Sequence, residues 1–489
     1  MPCWAGIAHT WHSTLAPAGH TRGRMLHWAI FGCATGSAPA IQPPPRGIVL
    51  ISMDTVRADA TSLGGASAAA TPTLSRLAAE GVAFSEVYSQ ANETLFSHAS
   101  VFTSQVPSDL GSLDYDLTIP DGTPTLASEL KGAGFQTGAV VAGGHVSRVF
   151  GLDDGFESYT EGPSFGSFQS TVPMALRWVD QAVLSERPFF LFVHGYDAHT
   201  PCAKPGLFSR LSTPGQTSGF AQMLDYPPFY DLIFNGRLYP EFRRESQPND
   251  KGVQFPDRGS FDALVAFSQE PGVLSKPFSD HEVDILKGLY SSAVLYADLW
   301  VGVLVEELDR RGLLDTTDIV VMSDHGEALF DYGFMSHRHT IRSAATRVPL
   351  LVRPAGGRSP QQVSTPVSLL DVTPTLLGLA GIPAPKIMRG QSLIPCFSGA
   401  CATPSLLYSE DALGEISVVE DGWRAVAAHP QGPGNDAGIA LVNGEPVELS
   451  LYNIEDGERV NHAADPSVAE RLATLQARLA TVRTTRGGQ

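Results

Sequence analysis

Short runs of apolar residues constrain the fold of this chain more than any other feature. They lie at residues 48–52, 136–141, 189–193 and 319–322, and each is long enough for one strand. Such a strand has to be buried on both faces, which is typical of parallel sheets. Stretches with helical spacing lie between and around them, at 71–81, 123–134, 171–184 and 280–312. This alternation predicts an α/β fold with a mostly parallel sheet flanked by helices.

The remaining segments predict how the 489 residues are divided. The alternating pattern covers residues 47–382, which we interpret as one domain. Within it, residues 200–279 are rich in Pro, Gly, Phe and Tyr with little periodicity, which predicts an irregular insertion over the sheet edge that contributes to a substrate pocket. A Pro- and Gly-rich link follows at 383–404. Short strands and a closing helix then predict an antiparallel α+β subdomain at 405–489.

The N-terminal residues 1–46 differ in composition from the rest. Met25 begins a short apolar segment that ends in small residues and Cys33, a pattern typical of a lipoprotein signal, with Cys33 as the lipidated residue. A disordered tail is the alternative. Cys396 and Cys401 are spaced to close a small disulfide loop, which favours an oxidising compartment. We therefore predict export to the periplasm, cell surface or exterior.

The charge balance excludes some partners. The chain has 51 acidic and 33 basic side chains, a net charge of −18, which argues against binding to nucleic acid or an anionic membrane. An anionic substrate therefore needs local positive charge from a metal or from clustered His and Arg. No apolar run of about 18 residues is present, so we expect membrane attachment only through Cys33. The oligomeric state is left open.

Polar residues follow the predicted strands where each one ends. They are Asp54, His145, Asp197 with His199, and Asp324 with His325. In open α/β sheets, ligands bind at this carboxyl edge. Two carboxylates and an imidazole suit one divalent cation. The imidazole favours Zn, Mn or Fe over Ca or Mg, and a carboxylate-rich site also accepts Ca.

A second candidate segment begins at Asn92. Thr94 and Ser97 stand where a helix can start, and a hydroxyl there lies beside backbone N–H groups that bind oxyanions. Either residue is a candidate nucleophile, provided that a metal activates it. The alternative is that both hydroxyls only cap the helix.

Together these segments resemble the sulfatase family of the alkaline phosphatase superfamily. Thr94 stands where sulfatases carry the first residue of a Cys-x-Pro-Ser-Arg signature. The resemblance extends over residues 47–481 and implies an alkaline phosphatase-like fold. The matching segments are 47–59, 71–84, 88–91, 94–100, 197–201, 323–327, 336–339, 347–350 and 451–464.

The resemblance implies a role for each matching residue. Asp54, Asp324 and His325 would hold the metal, and Thr94 would be both nucleophile and a further ligand. His199 and His339 would contact the ester oxygens, one of them protonating the leaving group, and His145 would assist. Glu327 would support the site from outside. Substrate contacts are expected from Asn92, His98 and Arg338.

Four departures from the family pattern shape the functional prediction. Thr94 cannot be oxidised to formylglycine, Met53 replaces a metal aspartate, His98 replaces Arg, and His339 replaces Lys. Together these departures point away from the formylglycine, calcium type of site, and a Thr alkoxide resembles members that cleave phosphate or phosphonate esters. From the resemblance as a whole we expect a hydrolase of sulfate or related anionic esters that uses one Ca, Mn or Zn ion and a covalent Thr94 intermediate. Its substrate would be a small molecule or a glycan. The alternatives are a phosphodiester or phosphonate monoester hydrolase, a phosphotransferase, and a catalytically inactive surface lipoprotein that binds an anion or glycan.

Overall fold

The structure is a computed structural model. It describes residues 46–113, 116–199, 279–333, 336–338, 340–401, 407–428, 439–442 and 445–484. The strands are β1 (Gly47–Met53), β2 (Val82–Phe84), β3 (Val87–Tyr88), β4 (Gln136–Val141), β5 (Ser158–Glu161), β6 (Phe189–Gly195), β7 (Thr317–Met322), β8 (Leu350–Arg353), β9 (Gln361–Val363), β10 (Val367–Ser368), β11 (Tyr408–Glu410), β12 (Ile416–Glu420), β13 (Trp423–Ala428), β14 (Ile439–Val442) and β15 (Glu445–Asn453). The α-helices are α1 (Pro72–Ala78), α2 (Thr94–Thr103), α3 (Leu126–Gly132), α4 (Phe168–Ala182), α5 (Asp280–Arg310), α6 (Ser343–Thr346), α7 (Val372–Leu379) and α8 (Ala469–Thr484).

The large sheet has eight strands in the order β5-β4-β6-β1-β7-β8-β2-β9. Among the strands of this sheet that the structure describes, only β8 runs antiparallel to its neighbours, β7 and β2. Every residue of β1, β6 and β7 is buried, as the apolar runs predict. The expected mostly parallel sheet is therefore confirmed.

Successive residues of each central strand pack against opposite layers of helices. Ile48 and Leu50 join the hydrophobic cluster that includes residues of α2, α3 and α7. Val49 and Ile51 join the cluster that includes residues of α1, α4 and α5. Because strand side chains alternate with period two, an entirely apolar strand needs both layers.

Helix α5 is long and apolar enough to cross a membrane by length and composition, contrary to the expectation from the sequence. However, 67% of its apolar window is buried within the fold, so we interpret α5 as a core helix. It also supports α1: the carboxylate of Asp298 accepts hydrogen bonds from the backbone N–H groups of Thr73 (2.8 Å) and Leu74 (2.9 Å). The side chain of Thr71, the residue that precedes α1, makes no capping hydrogen bond and accepts from the backbone N–H of Ser62 instead.

A second sheet of five antiparallel strands follows, in the order β11-β12-β13-β15-β14. Leu475 and Leu479 of α8 share a hydrophobic cluster with Tyr408 and Leu451 of this sheet. The expected C-terminal α+β arrangement is thus confirmed. Cys396 and Cys401 form a disulfide. The predicted segment boundaries remain predictions, and residues 1–45 and 200–278, which make up nearly all of the N-terminal segment and the insertion, lie outside the described residues.

Candidate active site

Two neighbouring strands bring the predicted metal ligands together. β1 and β7 pair in parallel, with Ser52 opposite Met322, so their carboxyl ends coincide. Asp54 follows β1, whereas Asp324 and His325 follow β7. Each of these three residues offers a ligand atom, all within 4.8 Å of one another, and all three side chains are fully buried.

The donor atoms of this cluster fit a divalent cation. His325 Nδ1 lies 2.9 Å from the carbonyl oxygen of Gly326. A carbonyl only accepts, so Nδ1 carries the proton and the lone pair of Nε2 remains for a metal. Oδ1 of Asp54 and Oδ2 of Asp324 accept no hydrogen bond from the described part of the chain. Two carboxylate oxygens and one imidazole nitrogen therefore share a buried space.

The electrostatics of the cluster also indicate a need for positive charge. Burial, and then the neighbouring Asp324 carboxylate, raise the pKa of Asp54 well above its usual value. Burial acts in the same direction on Asp324, but His325, His98 and His194 together lower its pKa to about 2. Two carboxylates this close cannot both stay ionised in a buried site without a nearby cation.

The backbone directly after Asp54 is strained. Thr55 has φ of +57°, a left-handed conformation that is costly for a β-branched residue. In this conformation the Thr55 N–H donates to Asp324 Oδ1 at 3.2 Å, and Tyr290 Oη donates to the Thr55 carbonyl at 2.7 Å. The Thr55 backbone therefore links the loop after β1 to Asp324, which follows β7.

Thr94 is the first residue of α2 and is 1% exposed. Its Oγ1 lies 3.3 Å from His325 Nε2, and its hydroxyl also interacts with the side chains of Asp54 and Tyr196. Ser97, the other candidate nucleophile, donates from its Oγ to the Asp324 carbonyl at 2.7 Å. The geometry therefore favours Thr94, because the Ser97 hydroxyl is engaged by the backbone.

His98 supports this arrangement from a fully buried position. Its Nδ1 lies 2.8 Å from the Thr94 carbonyl and 3.5 Å from Asp324 Oδ2, and its Nε2 lies 2.9 Å from Ser52 Oγ. Both ring nitrogens thus have protein partners. The sequence predicts His98 as a substrate ligand, whereas its burial and these contacts argue against direct contact with substrate.

Asn92 connects the loop that leads into α2 to the segment that follows β7. Its Nδ2 donates to the carbonyls of His337 (2.9 Å) and Thr340 (3.1 Å), and its own carbonyl lies 2.7 Å from His337 Nδ1. The side-chain donors predicted to bind substrate are therefore used internally. Arg338 is 48% exposed, with its Nε 3.4 Å from Glu93 Oε2, so its guanidinium remains accessible. His339 lies outside the described residues.

His145 and His199 lie at the ends of the neighbouring strands β4 and β6. The His145 N–H donates to Tyr196 Oη at 3.0 Å, and the His199 ring centroid lies 5.4 Å from that of Tyr196 and 5.5 Å from that of His337. Burial, and then the nearby charge of Arg338, lower the pKa of His145 to about 4. This histidine is therefore neutral near pH 7.

Sequence reasoning missed three members of the cluster: His194, Tyr196 and His337. His194 Nε2 lies 3.2 Å from Asp54 Oδ2, and its ring centroid lies 4.6 Å from that of Tyr196. The signal that could have found the first two is their spacing of two residues at a strand end, because such residues share one side. His337 lies in the matching segment 336–339, but the resemblance assigns the contact with the ester oxygens to His339, the next histidine of that segment.

Two other polar residues of these motifs have different surroundings. Asp197 Oδ2 accepts the backbone N–H of Phe168 at 2.8 Å, so Asp197 stabilises the first turn of α4. Glu327 is fully buried, and its charge contributes to the raised pKa of Asp54. This position agrees with the supporting role predicted for Glu327.

Comparison with known proteins identifies the family. Residues 46–382 match the family model described as Sulfatase. Arylsulfatase K of Xenopus laevis is 22% identical over 443 residues, which cover 83% of this chain and 79% of the relative. Arylsulfatase K of Bos taurus is 34% identical over 121 residues, or 25% of this chain and 22% of the relative.

Solved structures agree on the fold. A protein solved with its substrate D-glucosamine-2-N,6-O-disulfate has a TM-score of 0.67 at 17% identity, covering 90% of this chain and 98% of that one. The phosphonate monoester hydrolase of Agrobacterium radiobacter has a TM-score of 0.66 at 17% identity, covering 90% and 96%. These likenesses confirm the alkaline phosphatase-like fold. The family model matches more than half of this chain. The chain therefore belongs to the sulfatase family of sulfuric ester hydrolases.

Proposed function

We propose that this protein hydrolyses sulfate or related anionic esters by a metal-dependent, two-step displacement with Thr94 as nucleophile. One observation carries the proposal: the Thr94 hydroxyl lies at the start of a helix, 3.3 Å from His325 Nε2, and faces the Asp54 carboxylate. A hydroxyl that merely caps a helix has no reason to face a buried carboxylate and a histidine.

Asp54, Asp324 and His325 would hold one divalent ion, with Thr94 as a further ligand. The imidazole nitrogen favours Mn or Zn, and the carboxylate oxygens also suit Ca. When bound, the ion supplies positive charge that favours the ionised form of a hydroxyl and offsets charge on the anionic ester.

The protein's own groups would carry the first step as follows. The Thr94 hydroxyl gives up its proton to solvent, and Oγ1 forms a bond to the central sulfur or phosphorus atom as the bond to the leaving oxygen breaks. That oxygen takes a proton from His199 or His339. Positive charge at the start of α2 and on Arg338 would stabilise the anionic group, since a helix N-terminus carries a partial positive charge.

In the second step, water attacks the central atom as the bond to Thr94 Oγ1 breaks. One proton of the water passes to Oγ1 and restores the hydroxyl, and the histidine that protonated the leaving oxygen regains its proton from solvent. Tyr196 interacts with that hydroxyl and orients it. Burial raises the pKa of the Tyr196 phenol well above its usual value, so the phenol stays neutral. His145 holds Tyr196 through its backbone N–H, and Asn92 and His98 position the two segments that meet at Thr94.

A phosphonate monoester or phosphodiester hydrolase, or a phosphotransferase, is the second candidate. Thr94 supports it, because threonine cannot supply the formylglycine of the sulfatase type, and a phosphonate monoester hydrolase is among the structural neighbours. The third candidate is an inactive protein that binds an anion or a glycan at the same site.

Metal analysis and a substrate panel test these candidates together. The panel contains 4-nitrophenyl sulfate, 4-nitrophenyl phosphate, bis(4-nitrophenyl) phosphate and 4-nitrophenyl phenylphosphonate. Thr94→Ala should lower turnover of the best substrate by roughly 10³-fold or more, whereas Thr94→Ser should retain part of it. Ser97→Ala is the matched control and should retain most activity. Wild-type turnover by Thr94→Ala would refute the mechanism, and no turnover of any ester would favour the inactive protein.

We also propose export, with lipidation at Cys33. The disulfide between Cys396 and Cys401 supports an oxidising compartment. Membrane fractionation tests the anchor: Cys33→Ser should move the protein to the soluble fraction, and an unchanged distribution would exclude a lipid at this residue.

A further inference from the structure

Phe165 is an exposed apolar side chain beside the proposed catalytic histidines. It is 54% exposed. Single exposed apolar residues are common on protein surfaces and carry no meaning alone. Here three independent observations concern the same residue: its backbone conformation, the anchoring of its loop and the identity of its neighbours.

The backbone of Phe165 is held in a conformation that phenylalanine rarely adopts. Its φ is +53°, in the left-handed region that favours glycine or asparagine. Strain of this kind persists only when the surrounding structure imposes it, and it is concentrated at functional sites.

Three backbone hydrogen bonds fix the loop that carries this residue. Gly162 N donates to Val141 O at 2.7 Å, and Gly166 N donates to Ala142 O at 3.3 Å. Tyr196 N donates to Gly166 O at 2.9 Å. The loop is therefore attached to the ends of β4 and β6, the strands that lead to His145 and His199.

The ring of Phe165 packs among site residues, although the residue as a whole is 54% exposed. Its centroid lies 5.0 Å from that of Tyr196, 5.7 Å from that of His199 and 6.1 Å from that of His145. An ester whose leaving oxygen approaches His199 brings the rest of the leaving group to this ring.

We propose that Phe165 is an apolar platform for the leaving group of the ester. The ligand chemistry is a flat, weakly polar face, either an aryl ring or one face of a pyranose, because aromatic side chains stack on such faces. This inference rests on the proposed function for the direction from which the ester enters. Binding of the leaving group to the Phe165 ring, however, does not require that the ester be hydrolysed.

Ligand binding to the Thr94→Ala protein tests the platform without catalysis. Calorimetry would compare 4-nitrophenyl sulfate, glucose 6-sulfate and ethyl sulfate, of which only the last lacks a flat face. Adding Phe165→Ala should weaken binding of a flat probe by roughly tenfold, with ethyl sulfate unchanged. Weakening of the nitrophenyl probe assigns an aryl group, and weakening of the sugar probe assigns a pyranose.

Two further variants control for structure. Phe165→Tyr keeps the ring and should retain affinity for the flat probe. Leu184→Ala removes another exposed apolar side chain, 74% exposed and located before β6 at the opposite sheet edge, and should change nothing. Equal weakening of ethyl sulfate, unchanged binding of both flat probes, or no binding of either to the Thr94→Ala protein would overturn the platform. If wild-type protein hydrolyses no ester while flat probes still depend on Phe165, the proposed function fails and the platform stands.

Discussion

Arg424 and Glu458 form a fully buried ion pair, with 2.7 Å between Nε and Oε1. Glu458 Oε2 also accepts from Tyr332 Oη at 3.2 Å and from the backbone N–H of Ser343 at 2.5 Å. Tyr332 and Ser343 flank the segment that contains His337 and Arg338. A carboxylate next to the C-terminal sheet thus holds both ends of a segment that contributes to the candidate active site.

Breaking this pair should be costly. Glu458→Gln leaves Arg424 buried without its counter-charge, so we expect a loss of about 3–5 kcal/mol in the free energy of unfolding, measured by urea denaturation. Arg478→Gln is the matched control, because the Arg478–Glu420 pair at 3.0 Å is exposed and should contribute little. Equal effects of the two substitutions would contradict a structural role specific to the buried pair.

Metal binding should reverse the effect of Asp54→Asn on stability. In a chelator, this variant should melt at a higher temperature than wild type, because it removes one of two buried carboxylates that repel each other. With saturating metal the order should invert, since binding at about 100 times Kd stabilises only the intact site by about 2.7 kcal/mol. Calorimetry with and without chelator, together with elemental analysis, provides the measurement. The same order of melting temperatures in both conditions would argue against Asp54 as a ligand.

Asp411 should make stability depend on pH. Burial, and then the neighbouring Glu415, raise the pKa of Asp411 to about 7. The folded state therefore holds this proton more tightly than the unfolded state, so the stabilisation is present at low pH and is lost as pH rises towards about 7. Asp411→Asn keeps an oxygen for the N–H groups of Leu413 and Glu415. It should raise the melting temperature at pH 8 more than at pH 5; an equal shift at both values would refute the assignment.

The disulfide should contribute modestly. Cys396 and Cys401 are five positions apart, and closing so short a loop restricts the unfolded chain only slightly. Replacing both by alanine should lower the free energy of unfolding by about 2 kcal/mol on the chain-entropy estimate. Denaturation of the double variant, beside reduced wild-type protein, measures this effect. If the double variant loses much more free energy of unfolding than reduced wild-type protein does, packing of the two cysteines matters more than the bond between them.

The central strands and long helices were predictable because their signals are local. β1, β6 and β7 are continuous apolar runs, and α5 begins at the capping box formed by Ser279 and Glu282. β2 and β9 have three residues each, and their pairing joins Val82 to Gln361. No local pattern specifies a partner so distant in sequence. Asp298, which caps α1 from 225 positions away, was missed for the same reason.

The candidate site shows the same division. Asp54, Asp324 and His325 were predictable because each follows a recognisable strand and a family motif. His194 and Tyr196 were missed because strand register and sheet order decide which residues meet Asp54 and Thr94. The internal engagement of Asn92 and the burial of His98 also depend on tertiary contacts. A motif therefore located the site, whereas the division into ligands and supporting residues required the three-dimensional arrangement.

The contact between Thr55 and Asp324 joins positions 269 residues apart. The proposed metal ligands therefore meet only after β1 and β7 have paired, which is a late, long-range event in folding. A zinc site whose ligands are close in sequence can bind its metal while the chain is still folding, whereas this site cannot. In kinetic terms, we expect the ion to act on the completed fold: it should slow unfolding and leave the rate of folding nearly unchanged.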